Sequence, residues 1–308
     1  MSRRRKGRDI NGWLVVDKPI GMTSTDVVNR LRRQLDARKV GHGGTLDPLA
    51  TGLLPLAFGE ATKTVSYVMD GEKTYRFKVR WGERRDTDDA EGQVTASAET
   101  RPTAEEIEAL LPRFVGEIEQ VPPRYSAIKV EGQRAYDLAR GGEEVELAAR
   151  RVVVQSLTLV ERPDADHAVF EARCGKGTYI RALARDLGEL LGCHGHVVEL
   201  RRMTVGPFTE ADAISLESLE RLSDCAAAVE KLLPVETGLD DIPALVLTDA
   251  EARRLRNGQA ISMLVRANAE RIHGLESGDT ICAMAEGKPV AIVRLEAGEL
   301  RPVRVLNL

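Results

Sequence analysis

The sequence has few cysteines and no long apolar run. No apolar stretch approaches the roughly 20 residues that a helix needs to span a bilayer. The stretch Trp13 to Val16, which follows a basic N-terminus, is shorter than the apolar region of about 7–15 residues in a signal peptide. We therefore expect a cytoplasmic protein without membrane contacts. The spacing of the four cysteines excludes a C-x-x-C zinc knuckle and predicts no disulfide framework; they lie at positions 174, 193, 225 and 282.

Histidine is also scarce, with five in the chain. Only His194 and His196 lie close together, and on a strand they would share one face, so a metal ion there is conceivable. No third ligand follows at a metal-binding spacing, and we expect a polar supporting role for the pair and no bound metal. A metallohydrolase built on these two histidines is the weakest of the functions considered.

Charge is unevenly distributed along the chain. The whole sequence carries 44 Lys and Arg against 48 Asp and Glu, a net charge of −4. Residues 1–42 contain eleven basic and four acidic residues, whereas residues 209–308 contain eleven basic and seventeen acidic residues. A concentrated basic surface attracts phosphates even on an acidic protein. A nucleic-acid-binding surface and a solvated basic tail both fit this pattern.

Residue periodicity predicts an α+β fold. Tyr75, Phe77, Val79 and Trp81 alternate with polar residues, which is typical of a half-buried strand. The elements do not follow a regular βαβ rhythm, so we expect a mixed, largely antiparallel central sheet flanked by helices. Strands are predicted at 13–16, 74–81, 126–130, 152–160, 168–174, 197–200 and 203–205, and an apolar run lies at 53–58. Helices are predicted at 27–35, with possible caps at 23–25, and at 61–69, 104–114, 136–140 and 178–191, and residues 216–233 are predicted to form one or two helices. The acidic, glycine-containing stretch 86–92 is predicted to be a turn or an exposed loop.

Composition shifts after about residue 209, and Asp240 to Pro243 has the character of a linker. Short strands with glycine-containing turns follow, at 244–247, 280–285, 289–295 and 301–306. They predict a small β-barrel of about 65 residues, near the lower limit for a domain that folds alone. We therefore expect two domains, 1–240 and 241–308.

The segment Gly41 to Gly52, GHGGTLDPLATG, has four glycines in twelve residues. Glycine permits positive φ and the close approach of a ligand. The segment has no lysine, which excludes a P-loop. It offers one histidine, His42, and one carboxylate, Asp47, which the following proline biases toward extended backbone. Taken alone, an Asp-Pro in a loop is typical of an Asx-turn.

This segment closely resembles a signature of the bacterial tRNA pseudouridine-55 synthase family. One departure is Gly43, where the family commonly has threonine. Other stretches resemble family motifs in the family's order: LVVDKP at 14–19, GEATK at 59–63, KTYR at 73–76, YSAIK at 125–129, GTYIR at 177–181 and LRR at 200–202. The likeness covers about residues 10–210 and extends more weakly into the tail. There, residues 247–248 and 255–259 resemble a PUA-type RNA-binding domain.

The resemblance implies the pseudouridine synthase fold and an isomerase that converts uridine to pseudouridine at position 55 in the T-loop of tRNA. Such an enzyme flips the base out of the RNA, breaks the C1′–N1 bond and joins C5 to C1′. This isomerisation requires no cofactor. The expected partner is the T-arm of tRNA, and the chain is expected to be a monomer.

The resemblance also assigns roles to single residues. Asp47 is the catalytic carboxylate, and Arg181 is expected to hold it ionised through two parallel hydrogen bonds. Tyr75 would stack on the flipped uracil. The remaining implied site residues are Tyr179 and Leu200 as substrate contacts, His42 in the space that the base vacates, and Lys18, Pro19, Lys129 and Arg202 as pocket supports or phosphate contacts.

Ordinary interpretations stand beside these roles. From periodicity alone, Tyr75, Tyr179 and Leu200 would be core residues, and Arg181 a surface arginine on a helix. The alternative function is an RNA-binding or tRNA-folding protein whose catalytic role is secondary. The acidic balance of the last hundred residues predicts that this part contributes less to RNA affinity than the N-terminal half.

Overall fold

The computed structural model describes residues 7–126, 129–130, 133–134, 147–222, 225–264, 268 and 270–308. The strands are β1 (Gly12–Lys18), β2 (Val40–His42), β3 (Ala50–Phe58), β4 (Lys73–Trp81), β5 (Glu83–Arg85), β6 (Val94–Ser97), β7 (Gly116–Gln120), β8 (Lys129–Val130), β9 (Gln133–Arg134), β10 (Arg150–Glu161), β11 (His167–Cys174), β12 (Gly195–Val205), β13 (Ile214–Ser215), β14 (Ala244–Val246), β15 (Ile261–Ser262), β16 (Thr280–Ala285), β17 (Lys288–Glu296) and β18 (Glu299–Val305). The α-helices are α1 (Ser24–Gln34), α2 (Val65–Asp70), α3 (Ala104–Leu110), α4 (Ile180–Leu190), α5 (Leu216–Arg221), α6 (Cys225–Val229) and α7 (Asp249–Arg256). Short 3₁₀ turns lie at Gly59–Lys63, Leu111–Phe114, Glu210–Asp212, Val235–Leu239 and Glu270–Ile272.

A large mixed sheet forms the centre of the chain. Its strands run in the order β13-β1-β3-β12-β4-β11-β10-β7, and β2 pairs with β3. The pairs β1–β13 and β3–β12 are parallel, and the other pairs are antiparallel. The predicted α+β class, with a mixed and largely antiparallel central sheet, is confirmed.

Alternation of side chains explains how β4 lies in the core. Phe77, Val79 and Trp81 are buried, as the two-residue period predicts. The Phe77 ring stacks on Phe170 of β11 at 5.4 Å, and the Trp81 ring meets Phe170 edge-on at 6.2 Å. These aromatic contacts fix β4 against β11. On the other side of β4 lies β12, which carries the predicted site residues Leu200 and Arg202.

Helix α1 begins at the cap that the sequence offers. The Thr23 hydroxyl accepts a hydrogen bond from the backbone N–H of Asp26, and the Asp26 carboxylate accepts one from the Thr23 N–H. Val27 and Leu31 then bury the inner face of the helix. Of the three predicted capping residues, Thr23 performs this function, which leaves the neighbouring hydroxyl available for another contact.

Several predicted boundaries differ from the structure. The helix predicted at 61–69 is a 3₁₀ turn followed by α2, and the strands predicted at 197–200 and 203–205 are one strand, β12. Two register shifts in the pairing of β12 with β4 interrupt the two-residue period, which explains why the sequence pattern predicted two strands. The predicted helix at 136–140 lies outside the described residues, and so does the middle of the strand predicted at 126–130.

The C-terminal part has a sheet and a core of its own. The strands run β14-β16-β17-β18-β15, and α7 packs against them. The final residues return to the large sheet, where Leu306 is buried in an apolar cluster with Trp13 and Phe208. Lys63 donates to the Val305 carbonyl oxygen at 2.8 Å. The chain end therefore ties the small sheet to the large one. Within the described ranges, no helix has both the length and the apolarity needed to cross a bilayer.

Candidate active site

One cavity of about 570 Å³ brings together residues that are far apart in the sequence. It lies between the glycine-rich loop, strands β4 and β12 and the beginning of α4. Six of the residues predicted for the site line its wall: Asp47, Tyr75, Tyr179, Arg181, Leu200 and Arg202.

Strand pairing explains this convergence. Leu200 of β12 lies opposite Ala50, three residues beyond Asp47, in the parallel pair with β3. On its other side β12 pairs with β4, where Arg202 lies opposite Tyr75. The loop and the two strands therefore meet along one part of the sheet, and α4 adds Arg181 from the end of the cavity.

Arg181 forms an ion pair with Asp47. The Nε atom of Arg181 lies 3.0 Å from Oδ2 of Asp47, and the arginine side chain is 5% exposed against 37% for the aspartate. The terminal nitrogens of the guanidinium donate to the carbonyl oxygens of Thr87 and Tyr125, each at 2.9 Å. The expectation of two parallel hydrogen bonds between Arg181 and Asp47 is therefore wrong, because both terminal nitrogens are directed elsewhere.

Asp89 is a second carboxylate on the same guanidinium. Its Oδ2 lies 3.3 Å from Nη1 of Arg181, and its side chain is 4% exposed. Sequence analysis placed Asp89 in an exposed acidic turn and missed this contact. Three aspartates within four residues, 86–89, were the only signal, and such a run usually indicates solvent exposure.

A second buried ion pair lies one helical turn further along α4. Arg185 Nη1 is 3.0 Å from Oδ2 of Asp88. Burial raises the pKa of Asp88 to about 6, although the positive charges of Arg185 and Arg181 lower it. The expected exposure of this acidic turn is therefore wrong at both Asp88 and Asp89, which are buried by their arginine partners.

Arg202 holds the backbone of the glycine-rich loop. It is almost fully buried and donates to the carbonyl oxygens of Leu53 at 2.8 Å, Gly44 at 3.0 Å and Thr45 at 3.4 Å. Hydrogen bonds to these three carbonyl groups satisfy the buried guanidinium. They also fix the backbone near the beginning of the loop, at Gly44 and Thr45, and just after its end, at Leu53.

Two tyrosines form part of the cavity wall. Tyr75 is half-buried, and this burial raises the pKa of its phenol. Tyr179 stands immediately before α4, where its backbone N–H donates to Oε1 of Gln120 and its carbonyl oxygen accepts from Nε2 of the same side chain. Burial raises the pKa of the Tyr179 phenol as well. The charge of Asp47 also acts on both phenols, so both tyrosines lie near this carboxylate.

Three further predicted site residues, His42, Lys18 and Pro19, are not among the residues that line the cavity. His42 is half-buried at the end of β2, and burial together with the charge of Arg202 lowers its pKa. Lys18 is fully buried and donates to the carbonyl oxygens of Pro19 at 2.9 Å and Pro48 at 3.4 Å. Burial lowers the pKa of Lys18 to about 8. Pro19 itself is exposed, and the side chain of Lys129 lies outside the described residues.

His194 and His196 do not act together. His194 contacts Glu189 at 3.2 Å, whereas His196 is buried and contacts the Glu83 carbonyl oxygen at 3.1 Å. Burial lowers the pKa of His196. The part of the chain that the structure describes contains no group of three or more His, Cys, Asp or Glu residues arranged to hold a metal ion.

Comparison with known proteins identifies close relatives. Residues 32–180 match the family described as TruB family pseudouridylate synthase (N terminal domain), and residues 181–240 match the tRNA pseudouridylate synthase B C-terminal domain. The chain is 58% identical over 308 residues to tRNA pseudouridine synthase B of Rhodospirillum rubrum, with 100% of both chains covered. It is 54% identical over 309 residues to the protein of the same name from Caulobacter vibrioides, again covering 100% of both.

Solved structures share the fold. A crystal structure of a Cbf5-Nop10-Gar1 complex contains a chain with a TM-score of 0.72 and 25% identity, covering 96% of this chain and 84% of that chain. A chain in an H/ACA RNP bound to a substrate RNA containing 2′-deoxyuridine has a TM-score of 0.72 and 22% identity, covering 100% of this chain and 92% of that chain.

Proposed function

The chain belongs to the TruB family of pseudouridylate synthases, and on that premise we propose that it isomerises uridine to pseudouridine at position 55 in the T-loop of tRNA. The observation that carries the proposal is the ion pair between Arg181 and Asp47 in the wall of a cavity that also contains Tyr75 and Leu200. A partly exposed carboxylate held by a buried arginine is a group that can react with a ligand in the cavity.

The chemistry needs a carboxylate at a fixed position. The C1′–N1 bond of the nucleotide breaks, uracil turns and C5 bonds to C1′. The C5 proton is then released to solvent and N1 takes up a proton, so the product is an isomer of the substrate. An ionised carboxylate can attack C1′, attack C6 or remove the 2′ proton, and each route begins from Asp47 in its charged form. The buried guanidinium of Arg181 attracts the carboxylate of Asp47 and restricts its direction.

Access to the cavity requires the uridine to leave its stack. Extrusion of a base costs a few kcal/mol, which contacts in the pocket must offset. Base–aromatic stacking contributes about 1–3 kcal/mol per base, and Tyr75 is the residue we assign to it. Tyr179 and Leu200 complete the wall as substrate contacts. We assign His42 to the space from which the base departs, and Lys18, Pro19, Lys129 and Arg202 to support of the pocket or contact with phosphates.

The remaining parts of the proposal concern the whole protein. We assign residues 1–240 to the catalytic domain and 241–308 to a PUA-type RNA-binding domain, supported by the separate core of the small sheet. The proposed enzyme acts in the cytoplasm as a monomer on the T-arm of tRNA, and requires no cofactor.

The test uses a tRNA transcript tritiated at uracil C5, incubated without metal or nucleotide. We expect the native chain to release tritium and Asp47→Ala to release none, while the affinity for tRNA stays within about twofold because Asp47 is one small contact in a large interface. Equal release from both proteins would refute the role of Asp47. Binding of tRNA without release by the native chain would favour the RNA-binding or tRNA-folding alternative.

A further inference from the structure

The backbone on each side of Asp47 is held by Gly21, in the segment between β1 and α1, and by Ser24, the first residue of α1. Before Asp47, the Leu46 N–H donates to the Ser24 hydroxyl at 2.8 Å, and the same hydroxyl donates to the Leu46 carbonyl oxygen at 3.1 Å. After Asp47, the Pro48 carbonyl oxygen accepts from the Gly21 N–H at 2.8 Å. Gly21 and Ser24 thus hydrogen-bond to the backbone of the two residues that flank Asp47, Pro48 and Leu46 respectively.

The Ser24 contact is a buried one. Ser24 is 2% exposed and Leu46 is 4% exposed, so water has little access to either partner. Leu46 lies between β2 and β3. Among the residues that the structure describes, no strand forms ladder hydrogen bonds with its N–H or C=O. One hydroxyl therefore satisfies both polar groups of the residue that precedes Asp47. Without it, these groups would have to turn toward other partners, and the carboxylate would move with them.

We propose that Ser24 is a positioning residue that fixes the direction of the Asp47 carboxylate for reaction. This inference rests on the proposed function, in which Asp47 is the reacting group. Arg181 restrains the carboxylate from the cavity side, whereas Ser24 restrains the backbone that carries it. The two restraints are complementary, because the ion pair at Nε holds the carboxylate group, whereas Ser24 holds the backbone from which the side chain of Asp47 extends.

Ser24, the first residue of α1, is distinct from the residue that caps the helix. Thr23 accepts the capping hydrogen bond from the Asp26 N–H, and its side chain is exposed. The two neighbouring hydroxyls therefore have different partners: that of Thr23 caps α1, and that of Ser24 hydrogen-bonds to the backbone of Leu46. Thr23→Ala is a matched control, because it removes one hydroxyl from the same turn without touching the loop of Asp47.

The experiment compares native protein, Ser24→Ala, Ser24→Cys and Thr23→Ala in three measurements. These are the single-turnover rate of tritium release at saturating enzyme, the Kd for unmodified tRNA and the thermal midpoint. A displacement of about 1 Å in a reacting group can slow a reaction about 100-fold. We expect Ser24→Ala to lower the saturating rate about 10- to 100-fold with an unchanged Kd. Thr23→Ala should lower the thermal midpoint while its rate stays within about twofold of native.

Ser24→Cys places a slightly larger thiol at the same position, which is both a weaker donor and a weaker acceptor than the hydroxyl. Its rate should therefore lie between those of native protein and Ser24→Ala. A native rate in Ser24→Ala, a rate loss that only follows the thermal midpoint across all variants, or a change in Kd alone would each overturn the inference. If Ser24→Ala does not fold, the same criteria apply to Ser24→Cys against Thr23→Ala. Failure of the native chain to release tritium would instead refute the proposed function.

Discussion

The guanidinium of Arg181 lies 3.0 Å from the carboxylate of Asp47, and the arginine is buried while the aspartate is partly exposed. The pair therefore consists of a buried partner, Arg181, and a partner that a ligand in the cavity can reach, Asp47. The arginine is immobilised by backbone carbonyls on two other segments, so the aspartate has a rigid positive group on one side and the cavity on the other.

Arg181→Lys should lower turnover strongly. Lysine keeps the positive charge but cannot reach the Thr87 and Tyr125 carbonyl oxygens and Asp47 at once, because it lacks the planar fork. We expect a loss of about 100-fold in the saturating rate with a small change in tRNA affinity. Arg185→Lys is the control on the same helix, since Arg185 pairs with Asp88 and does not contact Asp47. Equal losses in both variants would show that disturbance of α4 is the cause.

Asp89→Asn tests the carboxylate that sequence analysis missed. The substitution preserves shape but removes the negative charge beside Nη1 of Arg181. Hydrogen bonds to charged groups contribute about 1.5–3 kcal/mol, so we expect at least a tenfold lower rate and a lower thermal midpoint. Asp86→Asn should behave as native, because Asp86 lies in the same turn and its carboxylate accepts from the Gln93 N–H, which an asparagine oxygen can also accept. A fully active Asp89→Asn would limit Asp89 to folding.

Tyr75→Leu and Tyr75→Phe separate the ring from its hydroxyl. Stacking on the extruded base needs the aromatic face, and its loss costs about 1–3 kcal/mol. Tyr75→Leu should therefore reduce kcat/KM about 5- to 150-fold, whereas Tyr75→Phe should retain most of it. The measurement is steady-state kinetics on tRNA transcript. If Tyr75→Phe is as impaired as Tyr75→Leu, the hydroxyl beside Arg202 is the functional group and stacking is not.

Stability should depend on pH through Lys18. Burial lowers its pKa from 10.5 to about 8, so the folded chain binds this proton less tightly than the unfolded chain does. The contribution of Lys18 to the free energy of unfolding is therefore fully present above pH 10.5 and is lost as pH falls through about 8. Lys18→Met should flatten the rise in unfolding free energy between these pH values, measured by urea titration.

Lys73 provides the comparison for that experiment, because burial lowers its pKa to about 8 as well. Lys73→Met should flatten the same pH range, and the double variant should be flatter than either. Native slopes in both single variants would contradict this assignment of the titrating groups.

Leu306→Ala should destabilise the catalytic part of the chain although it changes the C-terminal tail. Leu306 is 2% exposed in the core cluster that contains Trp13. Removing a buried leucine side chain costs about 2–5 kcal/mol. Leu308→Ala, at a residue that is 48% exposed, should leave the urea midpoint unchanged. Equal midpoints for the two variants would show that the tail is not part of the folded core.

The sequence by itself determined most of the elements and indicated the residue that we propose as the reacting group. Alternation in residues 74–81 predicted β4, and helical spacing in residues 27–35 predicted α1. Both patterns are local, because side-chain direction repeats about every two residues in a strand and about every 3.6 residues in a helix. The family resemblance added Asp47, Tyr75 and Arg181, and the structure places all three at one cavity. Boundaries were less accurate where a bulge or a 3₁₀ turn interrupts the period, as in β12 and residues 59–70.

Only the tertiary structure decided which groups hold that site in place. Asp89 belongs to a turn whose charge predicts exposure, yet the approach of α4 buries it against Arg181. Ser24 lies at a predicted helix cap, yet its hydroxyl bonds to Leu46, 22 residues away. The physical reason is the same in both cases: a buried polar group must find a partner, and chain topology, not local pattern, determines which partner lies within reach.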